Sequence, residues 1–308
     1  MEVSVFFAPL QGLTDHEFRL TYESVFGGVK EYFTPFMRVE SGVIRKSDLR
    51  ELNFVQKEAK TTPQILPKNS LEAAILVEQI YAAGCRRVDI NMGCPFVKVV
   101  QGVRGAGILP YPEKVADVLS VTEKFPEITF SLKMRSGLES STDLWSLIPI
   151  INKVNLRHVT LHARTAKEGY DGEPDKKVFA RFLSECSHPV VYNGNILSFQ
   201  GVKKLQEDFP LLSGVMIGRG LLAHPDLLHP EWNCTERKAR CVDFYERIYD
   251  AYARKFSGEM QILKHMQEFW TYFMPDADKK LKKKLKKTQS LFAFEGYAQR
   301  ILEEYNYS

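Results

Sequence analysis

One cysteine of this chain stands where a side chain could take part in chemistry. Cys94 lies between Gly93 and Pro95, directly after the apolar run Arg87–Met92. A short apolar run with β-branched residues that ends in Gly and Pro predicts a buried strand, so Cys94 is expected on the loop after its carboxyl end. Active sites of α/β folds lie on such loops, where a thiol can reach a substrate. Taken alone, the presence of a cysteine at position 94 favours a structural interpretation, in which the side chain is simply packed at a turn, because free cysteines are usually small buried apolar groups.

Four further polar side chains fall within successive apolar runs or at their carboxyl ends: Gln64, Asn91, Lys133 and His162. Lys133 is the most informative, because a buried ammonium is costly without an anionic partner. His162 alone would more often be a core histidine with satisfied hydrogen bonds. Together, Lys133 and His162 predict a ring of polar groups that binds a cofactor.

Two glycine-bearing loops follow the last two apolar runs, at Asn193–Asn195 and Gly218–Gly220. Each alone indicates no more than a tight turn. In many barrels the last two loops bind a phosphate group through backbone N–H groups. With Arg219 in the second loop, the pair predicts a phosphate site.

The elements that would position these residues alternate between strand and helix. Eight apolar runs are read as strands: residues 5–10, 32–37, 62–66, 87–92, 128–134, 158–162, 189–192 and 214–217. Thr14 and Glu17 are expected to form a capping box at the start of the first helix. Eight strands alternating with helices over about 225 residues predict an α/β fold, a (β/α)8 TIM barrel. A Rossmann sheet is the rival, but no G-x-G-x-x-G pattern follows the first strand.

The strand pattern stops at about residue 230, and aromatic residues then recur at helical spacing. We therefore expect two domains, a barrel in residues 1–228 and a small all-α helical C-terminal domain in residues 229–308. Pro225–Pro230 is the expected linker between them.

The composition excludes several classes of protein. The chain has 308 residues, of which 44% are apolar and 26% charged, as in ordinary soluble globular proteins. No run of 18 apolar residues predicts a membrane span, and the first residues lack the basic region of a signal peptide. The five cysteines are irregularly spaced, which argues against a disulfide framework or a zinc site. We expect a reduced, cytoplasmic, monomeric protein without a bound metal.

The positive charge of the chain is concentrated in one run. Lys279–Lys287 holds seven lysines and no acid, and without them the 42 basic residues become 35 against 38 acidic ones. The net charge then changes from +4 to −3. A local basic stripe is typical of a protein that binds a phosphate backbone. Leu281, Leu285 and Phe292 are expected to anchor one face of this helix, and a merely solvated lysine face is the alternative.

Seven segments resemble the dihydrouridine synthase family, the flavin enzymes that reduce uridine in tRNA. They run in the order of the family: Ala8–Asp15, Asp89–Pro95, Gly105–Gly107, Lys133–Gly137, Leu161–Thr165, Asn193–Ile196 and Met216–Gly220. The segment around Asn91 and Cys94 is the most specific of them. The resemblance implies an FMN-binding barrel followed by a helical RNA-binding domain, which agrees with the elements predicted above.

The resemblance also implies a role for each matching residue. Cys94 would donate a proton to C5 of the uracil ring, opposite a hydride delivered to C6 by FMN that NADPH has reduced. The residues implied to touch the flavin ring or its ribityl chain are Pro9, Leu10, Gln11, Gln64, Lys133 and His162, with Asn91 ordering the ring and the target base. Those implied to hold the phosphate end are Asn193, Gly194, Asn195, Gly218 and Arg219. Departures at Leu10, Asn195, Ala163 and Ala166 leave the modified uridine position open.

Two other functions remain open at this point. The chain could be an FMN-dependent barrel oxidoreductase that acts on a free pyrimidine or a small enone. It could also be a flavin-free RNA-binding module. The lysine run and the aromatic helical region favour RNA over a small substrate. Cys94, Lys133 and Asn91 are all present, which argues against a module without catalytic residues.

Overall fold

A computed structural model describes residues 3–56 and 58–307 of the chain. The strands, numbered in chain order, are β1 Ser4–Phe7, β2 Glu31–Phe33, β3 Val39–Glu40, β4 Val43–Ile44, β5 Thr61–Thr62, β6 Gln64–Ile65, β7 Arg87–Met92, β8 Thr129–Gly137, β9 Val159–Thr165, β10 Val190–Asn193 and β11 Gly214–Ile217. The helices are α1 His16–Val25, α2 Lys46–Val55, α3 Ser70–Ala82, α4 Val97–Gln101, α5 Pro112–Leu119, α6 Val121–Lys124, α7 Thr142–Ile151, α8 Lys176–Glu185, α9 Phe199–Asp208, α10 Arg219–Ala223, α11 Cys234–Lys255, α12 Glu259–Phe269, α13 Lys279–Lys287 and α14 Leu291–Glu304. A 3₁₀ turn spans Gly105–Ile108.

Nine strands form one parallel sheet in the order β5-β2-β1-β11-β10-β9-β8-β7-β6. Its two end strands, β5 and β6, are consecutive in the chain and are separated only by Pro63. Proline has no N–H to donate to a ladder, but its carbonyl accepts from the N–H of Asp89 at 2.9 Å. The two strands are therefore halves of one strand position, and the sheet closes into a barrel of eight positions. The predicted TIM barrel and its eight strands are confirmed.

Side chains alternate along the strands between the barrel interior and the surrounding helices. One interior cluster is apolar and consists of Phe6, Ala8, Phe33, Val191 and Met216. Towards the carboxyl ends the inward positions become polar, because Asp89 and Asn91 on β7 and Ser131 on β8 are all buried. This change in polarity locates the candidate site at the carboxyl ends of the strands.

The chain divides into two compact units. The first contains the strands of the barrel and comprises the residues up to Gln11, Val29–Ile196 and Lys203–Ile217. The second comprises Gly12–Gly28, Leu197–Val202 and the chain from Gly218 onward. The units thus divide the chain differently from the expected domains 1–228 and 229–308, whose separate functions stay a prediction.

The second unit is helical, as expected for the C-terminal region, and it also includes α1. Its core contains the ring of Phe244 on α11, which meets three rings from the α1 segment. The ring centroids of Phe18, Tyr22 and Phe26 lie 5.7, 6.0 and 5.2 Å from that of Phe244. Edge-to-face aromatic pairs of this kind add stability beyond the area they bury.

The capping box expected at Thr14 and Glu17 is wrong. Asp15 is the N-cap of α1, and its carboxylate accepts from the N–H of Phe18 at 3.2 Å. Thr14 is buried, and its carbonyl accepts from the guanidinium of Arg19 at 2.9 Å. Aspartate caps helices as well as threonine does, so the sequence pattern allowed either start.

None of the helices in the described residues is both long enough and apolar enough to span a lipid bilayer.

Candidate active site and the lysine cavity

A buried carboxylate lies at the centre of the polar interior. Asp89 on β7 accepts from the Ser131 hydroxyl at 2.6 Å and from the Gln64 amide nitrogen at 2.7 Å. The strand register makes these contacts possible, because Gln64 and Ser131 both lie opposite Asp89. Burial raises the pKa of Asp89 to about 6, against the two hydrogen bonds and the charge of Lys133, which lower it.

A chain of hydrogen bonds runs from this carboxylate to the loop that carries Cys94. Gln64 uses its amide oxygen to accept from the side-chain nitrogen of Asn91 at 2.7 Å. Asn91 in turn accepts from the backbone N–H groups of Gly93 and Cys94 at 2.9 and 3.0 Å. Each amide donates on one side and accepts on the other, so the chain fixes the orientation of both side chains and the turn after β7.

The Cys94 thiol lies in an apolar pocket at the end of this chain. It is buried together with Phe36, Leu66 and Val99. Burial raises the pKa of the thiol, and the N–H of Phe96 and the nearby positive charges only partly oppose this. The thiol therefore stays protonated at neutral pH. A proton donor needs this protonated form, whereas a nucleophilic cysteine needs the thiolate.

A glycine beside Cys94 allows the loop to pack closely. Gly105 has a φ of 56°, and a Cβ there would come within 2.7 Å of the Cys94 carbonyl oxygen and 2.9 Å of its Cβ. The next residue, Ala106, donates its N–H to the same carbonyl at 3.1 Å. The 3₁₀ turn of Gly105–Ile108 therefore supports the Cys94 loop from one side.

Lys133 lies opposite Asn91 in the β7–β8 register, as expected for a residue of the polar ring. Burial and the charge of Arg135 lower its pKa to about 8, whereas Asp89 and Cys94 act in the opposite direction. The anionic partner that a lysine in a strand interior needs is thus Asp89, which shares the barrel interior with it. Lys133 keeps a positive charge at neutral pH and begins to lose it near pH 8.

Arg135 is a buried site residue that the sequence reasoning missed. Its Nε donates to the Gly93 carbonyl at 3.1 Å, and one terminal nitrogen donates to the Thr165 carbonyl at 2.7 Å. Its guanidinium lies 5.4 Å from the ring centroid of Tyr170. The available signal was its spacing, because residues two apart on a strand share a face and Lys133 already pointed inward. Arg135 holds the turn that precedes Cys94.

His162 and Arg164 occupy neighbouring inward positions on β9. His162 is buried, lies opposite Arg135 and Asn193 in the strand register, and has its Nε2 3.1 Å from a terminal nitrogen of Arg164. Arg164 also donates to the carbonyl of Gly172. The Nε of Arg164 is buried and has no hydrogen-bond partner among the described residues. A buried donor without an acceptor indicates that a ligand atom could bind there.

The first predicted phosphate loop packs against His162. Gly194 has a φ of 133°, and a Cβ there would come within 2.7 Å of Pro174 and 2.9 Å of the His162 ring. Asn193 donates to the carbonyl of Met216 at 2.7 Å. Asn195, with a φ of 47°, donates to the carbonyl of Gly172 at 3.3 Å. The glycine at position 194 is therefore required by close packing as well as by its backbone conformation.

The remaining predicted residues lie at other strand ends. Pro9, Leu10 and Gln11 follow β1 and are partly or fully exposed. Gly218 and Arg219 belong to the second unit, where the Gly218 carbonyl accepts from the N–H of Leu221 at 3.0 Å at the start of α10. Across residues 3–56 and 58–307, His, Cys, Asp and Glu side chains form no group of three or more that could hold a metal ion.

The lysine run forms a helix in the second unit, α13, whose bounds match the predicted run. Leu281 and Leu285 are buried, as expected. The expected anchor Phe292 is wrong, because the helix ends at Lys287, Ser290 caps the next helix, and the Phe292 side chain is 87% exposed. The helical spacing was counted across a break that the sequence pattern did not reveal.

Five lysines of α13 line a cavity of ≈ 410 Å³, which we call the lysine cavity. Its lining residues are Lys279, Lys282, Lys283, Lys286, Lys287, Thr271 and Pro275. Lys282 donates to the carbonyls of Phe273 and Met274, both at 2.9 Å. Burial and the charge of Lys286 lower its pKa to about 8. Several ammonium groups around one cavity attract an anion with more than one charged oxygen.

Comparisons with known proteins identify the family of the chain. A family model described as dihydrouridine synthase matches residues 6–304. The chain is 29% identical over 224 residues to tRNA-dihydrouridine synthase B of Pasteurella multocida, covering 72% of this chain and 66% of that protein. It is 30% identical over 233 residues to a probable tRNA-dihydrouridine synthase of Rickettsia bellii, covering 73% and 69%. The chain thus matches about two thirds of the length of these relatives.

A solved structure with a similar fold is that of a morphinone reductase mutant in complex with tetrahydroNAD. It has a TM-score of 0.50 and 11% sequence identity, covering 73% of this chain and 85% of that one. At this identity the likeness concerns the barrel fold alone.

Proposed function

Because the chain belongs to the dihydrouridine synthase family, we propose that it reduces specific uridines of tRNA to 5,6-dihydrouridine. The reaction adds a hydride to C6 and a proton to C5 of the uracil ring, and the C5–C6 double bond becomes a single bond. The observation that carries the proposal is the hydrogen-bond chain from Asp89 through Gln64 and Asn91 to the backbone of Cys94. These hydrogen bonds position a protonated thiol at the carboxyl ends of the strands.

In this proposal Cys94 gives its proton to C5 of the base. The apolar pocket keeps the thiol protonated, and Asn91 and Arg135 both hold the turn that leads into Cys94. The base must leave its stack in the RNA to reach a thiol that is buried in this way. The active site therefore acts on an unstacked uridine rather than on one inside a duplex.

We propose FMN as the bound cofactor and NADPH as the electron donor. The residues fit a flavin phosphate: Arg164 has a buried Nε that lacks an acceptor in the described chain, and the glycine at position 194 lets the Asn193–Asn195 loop pack directly against His162. A reduced flavin held here supplies the hydride for C6. Lys133 carries a positive charge in the barrel interior, and this charge would stabilise electron density on a flavin ring held beside it.

The assignment of the other cofactor contacts follows the resemblance to the family. The residues proposed to contact the ring and ribityl chain are Pro9, Leu10, Gln11, Gln64, Asn91, Lys133 and His162. Asn193, Gly194 and Asn195 are proposed for the phosphate end, and the same assignment for Gly218 and Arg219 rests on the sequence alone. We further propose that the protein acts as a monomer in the cytoplasm.

The competing function is reduction of a free pyrimidine or a small enone on the same barrel. The lysine cavity supports RNA instead, because a small neutral substrate needs no row of five lysines on a helix of the second unit. A flavin-free RNA-binding module would have no use for a buried, protonated thiol held by a chain of buried amides.

The test is a direct assay with the purified protein. We expect a yellow protein that releases FMN on denaturation and, with NADPH, forms dihydrouridine in tRNA from a strain that lacks this modification, detected by mass spectrometry of the digested RNA. Turnover of free uridine at the same efficiency as tRNA would favour the small-substrate function. A colourless protein that FMN cannot reconstitute would exclude both enzymes.

A further inference from the structure

Two exposed apolar side chains lie directly beside the reactive thiol. Phe96 and Val97 follow Cys94 and Pro95 in the chain and are 64% and 70% exposed. In the part of the chain that the structure describes, no other two consecutive large apolar residues are both exposed. Single exposed apolar residues are ordinary on protein surfaces. This pair is unusual because it adjoins the group that must meet the substrate.

The main chain, rather than side-chain packing, fixes the position of Phe96. The residue precedes α4 in an extended conformation, with a φ of −59° and a ψ of 131°. Its N–H donates to the Cys94 thiol, and its carbonyl accepts from Val99 and Val100 at 2.8 and 2.9 Å. The backbone of Phe96 is thus held at a set position beside Cys94, while most of its side chain stays exposed.

Basic residues lie next to Phe96 in the chain and near the Cys94 thiol. Lys98 follows on the same helical turn and is exposed. Arg38, Lys133 and Arg135 lie close enough to Cys94 to lower the pKa of its thiol. An exposed aromatic ring beside an exposed lysine suits a nucleobase of RNA, since the ring stacks on the base and the lysine attracts the phosphate backbone.

We propose that Phe96 stacks on the nucleobase next to the target uridine and so determines that the substrate is RNA rather than a free base. The inference rests on the proposed function. When the uridine leaves its stack, the neighbouring base loses a partner and exposes one face. A phenyl ring two residues beyond Cys94 covers that face and stabilises the opened RNA.

The test compares four variants with an unmodified tRNA transcript that the wild type converts. Phe96→Ala should lower kcat/KM for dihydrouridine formation by about 5- to 150-fold, the range that the loss of one base–aromatic stack produces. Phe96→Tyr should keep the wild-type value, whereas Phe96→Leu, which is apolar but not aromatic, should fall with Phe96→Ala. The matched control is Leu211→Ala. Leu211 is 79% exposed and precedes the amino end of β11, at the opposite end of the barrel, so kcat/KM should not change.

All four variants should reduce their bound flavin with NADPH at the wild-type rate when RNA is absent, which shows that the site is intact. Wild-type kcat/KM in Phe96→Ala, or in Phe96→Leu, would overturn the stacking role. If the wild type forms no dihydrouridine in any tRNA, the proposed function fails first, and this inference fails with it.

A second experiment identifies the stacked base. Transcripts that are abasic on the 5′ or the 3′ side of the modified uridine are given to the wild type and to Phe96→Ala. For one of the two positions, the wild type should lose about as much kcat/KM as Phe96→Ala loses on the intact transcript. The variant should lose little more on that abasic transcript. If the loss of kcat/KM from the abasic site and the loss from Phe96→Ala multiply in full at both positions, Phe96 touches neither base.

Discussion

The amide nitrogen of Gln64 lies 2.7 Å from the carboxylate of Asp89, across the strand position that Pro63 divides. Both side chains are completely buried. Both the closure of the barrel and the orientation of the Cys94 loop therefore depend on this contact, because Gln64 also accepts a hydrogen bond from Asn91. A change at this contact should alter the stability of the fold and the position of Cys94 together.

Asp89→Asn should change how stability depends on pH. The native pKa of Asp89 is raised to about 6 from an ordinary value of 3.8, so the native state binds this proton more tightly than the unfolded chain does. The contribution of Asp89 to the free energy of unfolding therefore falls as the pH rises from about 4 to about 6. We expect the advantage of the wild type over Asp89→Asn, measured by urea unfolding, to be smaller at pH 7.5 than at pH 4.5.

Ser131→Ala provides the companion measurement. The Ser131 hydroxyl lowers the pKa of Asp89. Its removal should therefore shift to higher pH the range in which the contribution of Asp89 to the free energy of unfolding falls. A wild-type advantage over Asp89→Asn that is constant with pH would contradict the raised pKa.

Cys94→Ala should separate the two halves of the reaction. NADPH should still bleach the bound flavin, while dihydrouridine formation falls by about 10²–10⁴-fold, as expected for the loss of a general acid. Cys94→Ser should keep a trace of activity, because a hydroxyl is a much weaker acid than a thiol. Stopped-flow absorbance and mass spectrometry of the RNA measure the two steps. Unchanged RNA turnover in Cys94→Ala would remove this residue from the mechanism.

Deprotonation of Lys133 should make the rate of flavin reduction fall at alkaline pH. Because the pKa of Lys133 is lowered to about 8, its positive charge is lost as the pH rises through that value. The rate at which NADPH reduces the flavin should therefore decline above pH 8 in the wild type. Lys133→Arg stays charged, so its rate should be lower but level between pH 7 and pH 9. A decline of the same shape in both proteins would assign the fall in rate to another group.

Gly105→Ala should damage the fold and the Cys94 loop more than a matched glycine substitution does. Gly105 has a positive φ and would clash with Cys94, whereas Gly84 has a φ of 83° and nothing within 4 Å of an added Cβ. Gly84→Ala should cost about 1 kcal/mol of stability from backbone strain alone. Gly105→Ala should cost more and should also lower RNA turnover. Equal losses of stability in the two variants would show that the Cys94 loop moves enough to accommodate the added methyl group of Gly105→Ala without further cost.

The lysine cavity should contribute to tRNA binding without affecting the chemistry. Replacing Lys279, Lys283, Lys286 and Lys287 with Gln leaves Lys282, whose ammonium holds two carbonyls. The variant should bind tRNA more weakly, and the slope of log K against log salt should flatten by about 0.7–0.9 per lost phosphate contact. Flavin content and NADPH oxidation should stay at wild-type levels.

The control for this prediction lies on the same helix. Lys280 and Lys284 are outside the set that lines the lysine cavity, so their double replacement with Gln should change the slope less. Titration of tRNA at several salt concentrations measures all three proteins. Identical slopes in the wild type and the quadruple variant would indicate a merely solvated helix face.

Much of the architecture was predictable from local patterns. The eight strand positions follow from apolar runs and their breakers, and Cys94, Asn91 and Lys133 fall at the carboxyl ends that those runs predict. The Asp89–Gln64 contact was not predictable in this way. It depends on the register between strands that are 25 residues apart, and a single sequence shows no register.

The errors concern features that local spacing does not show. Arg135 and Arg164 were not predicted as site residues, although Arg135 lies two positions from Lys133 on the same strand face, and their buried hydrogen-bond partners come from other parts of the chain. Phe292 was placed on the lysine helix because the break at Thr288–Ser290 leaves no mark in the apolar spacing. Asp15 and Thr14 are both good caps, and the structure shows that the Asp15 carboxylate accepts from the N–H of Phe18.

The packing of α1 against α11 sets an order of events during synthesis. Tyr22 and Phe244 are separated by 222 residues, yet their rings form part of one aromatic core. At about 5–20 residues per second, a ribosome needs roughly 10–45 s to make the chain between them. During that interval the rings of the α1 segment lack the Phe244 ring against which they pack in the native structure, and they are open to wrong contacts. We expect folding on the ribosome to finish late, and chaperones that cover apolar helices to bind the unfinished chain.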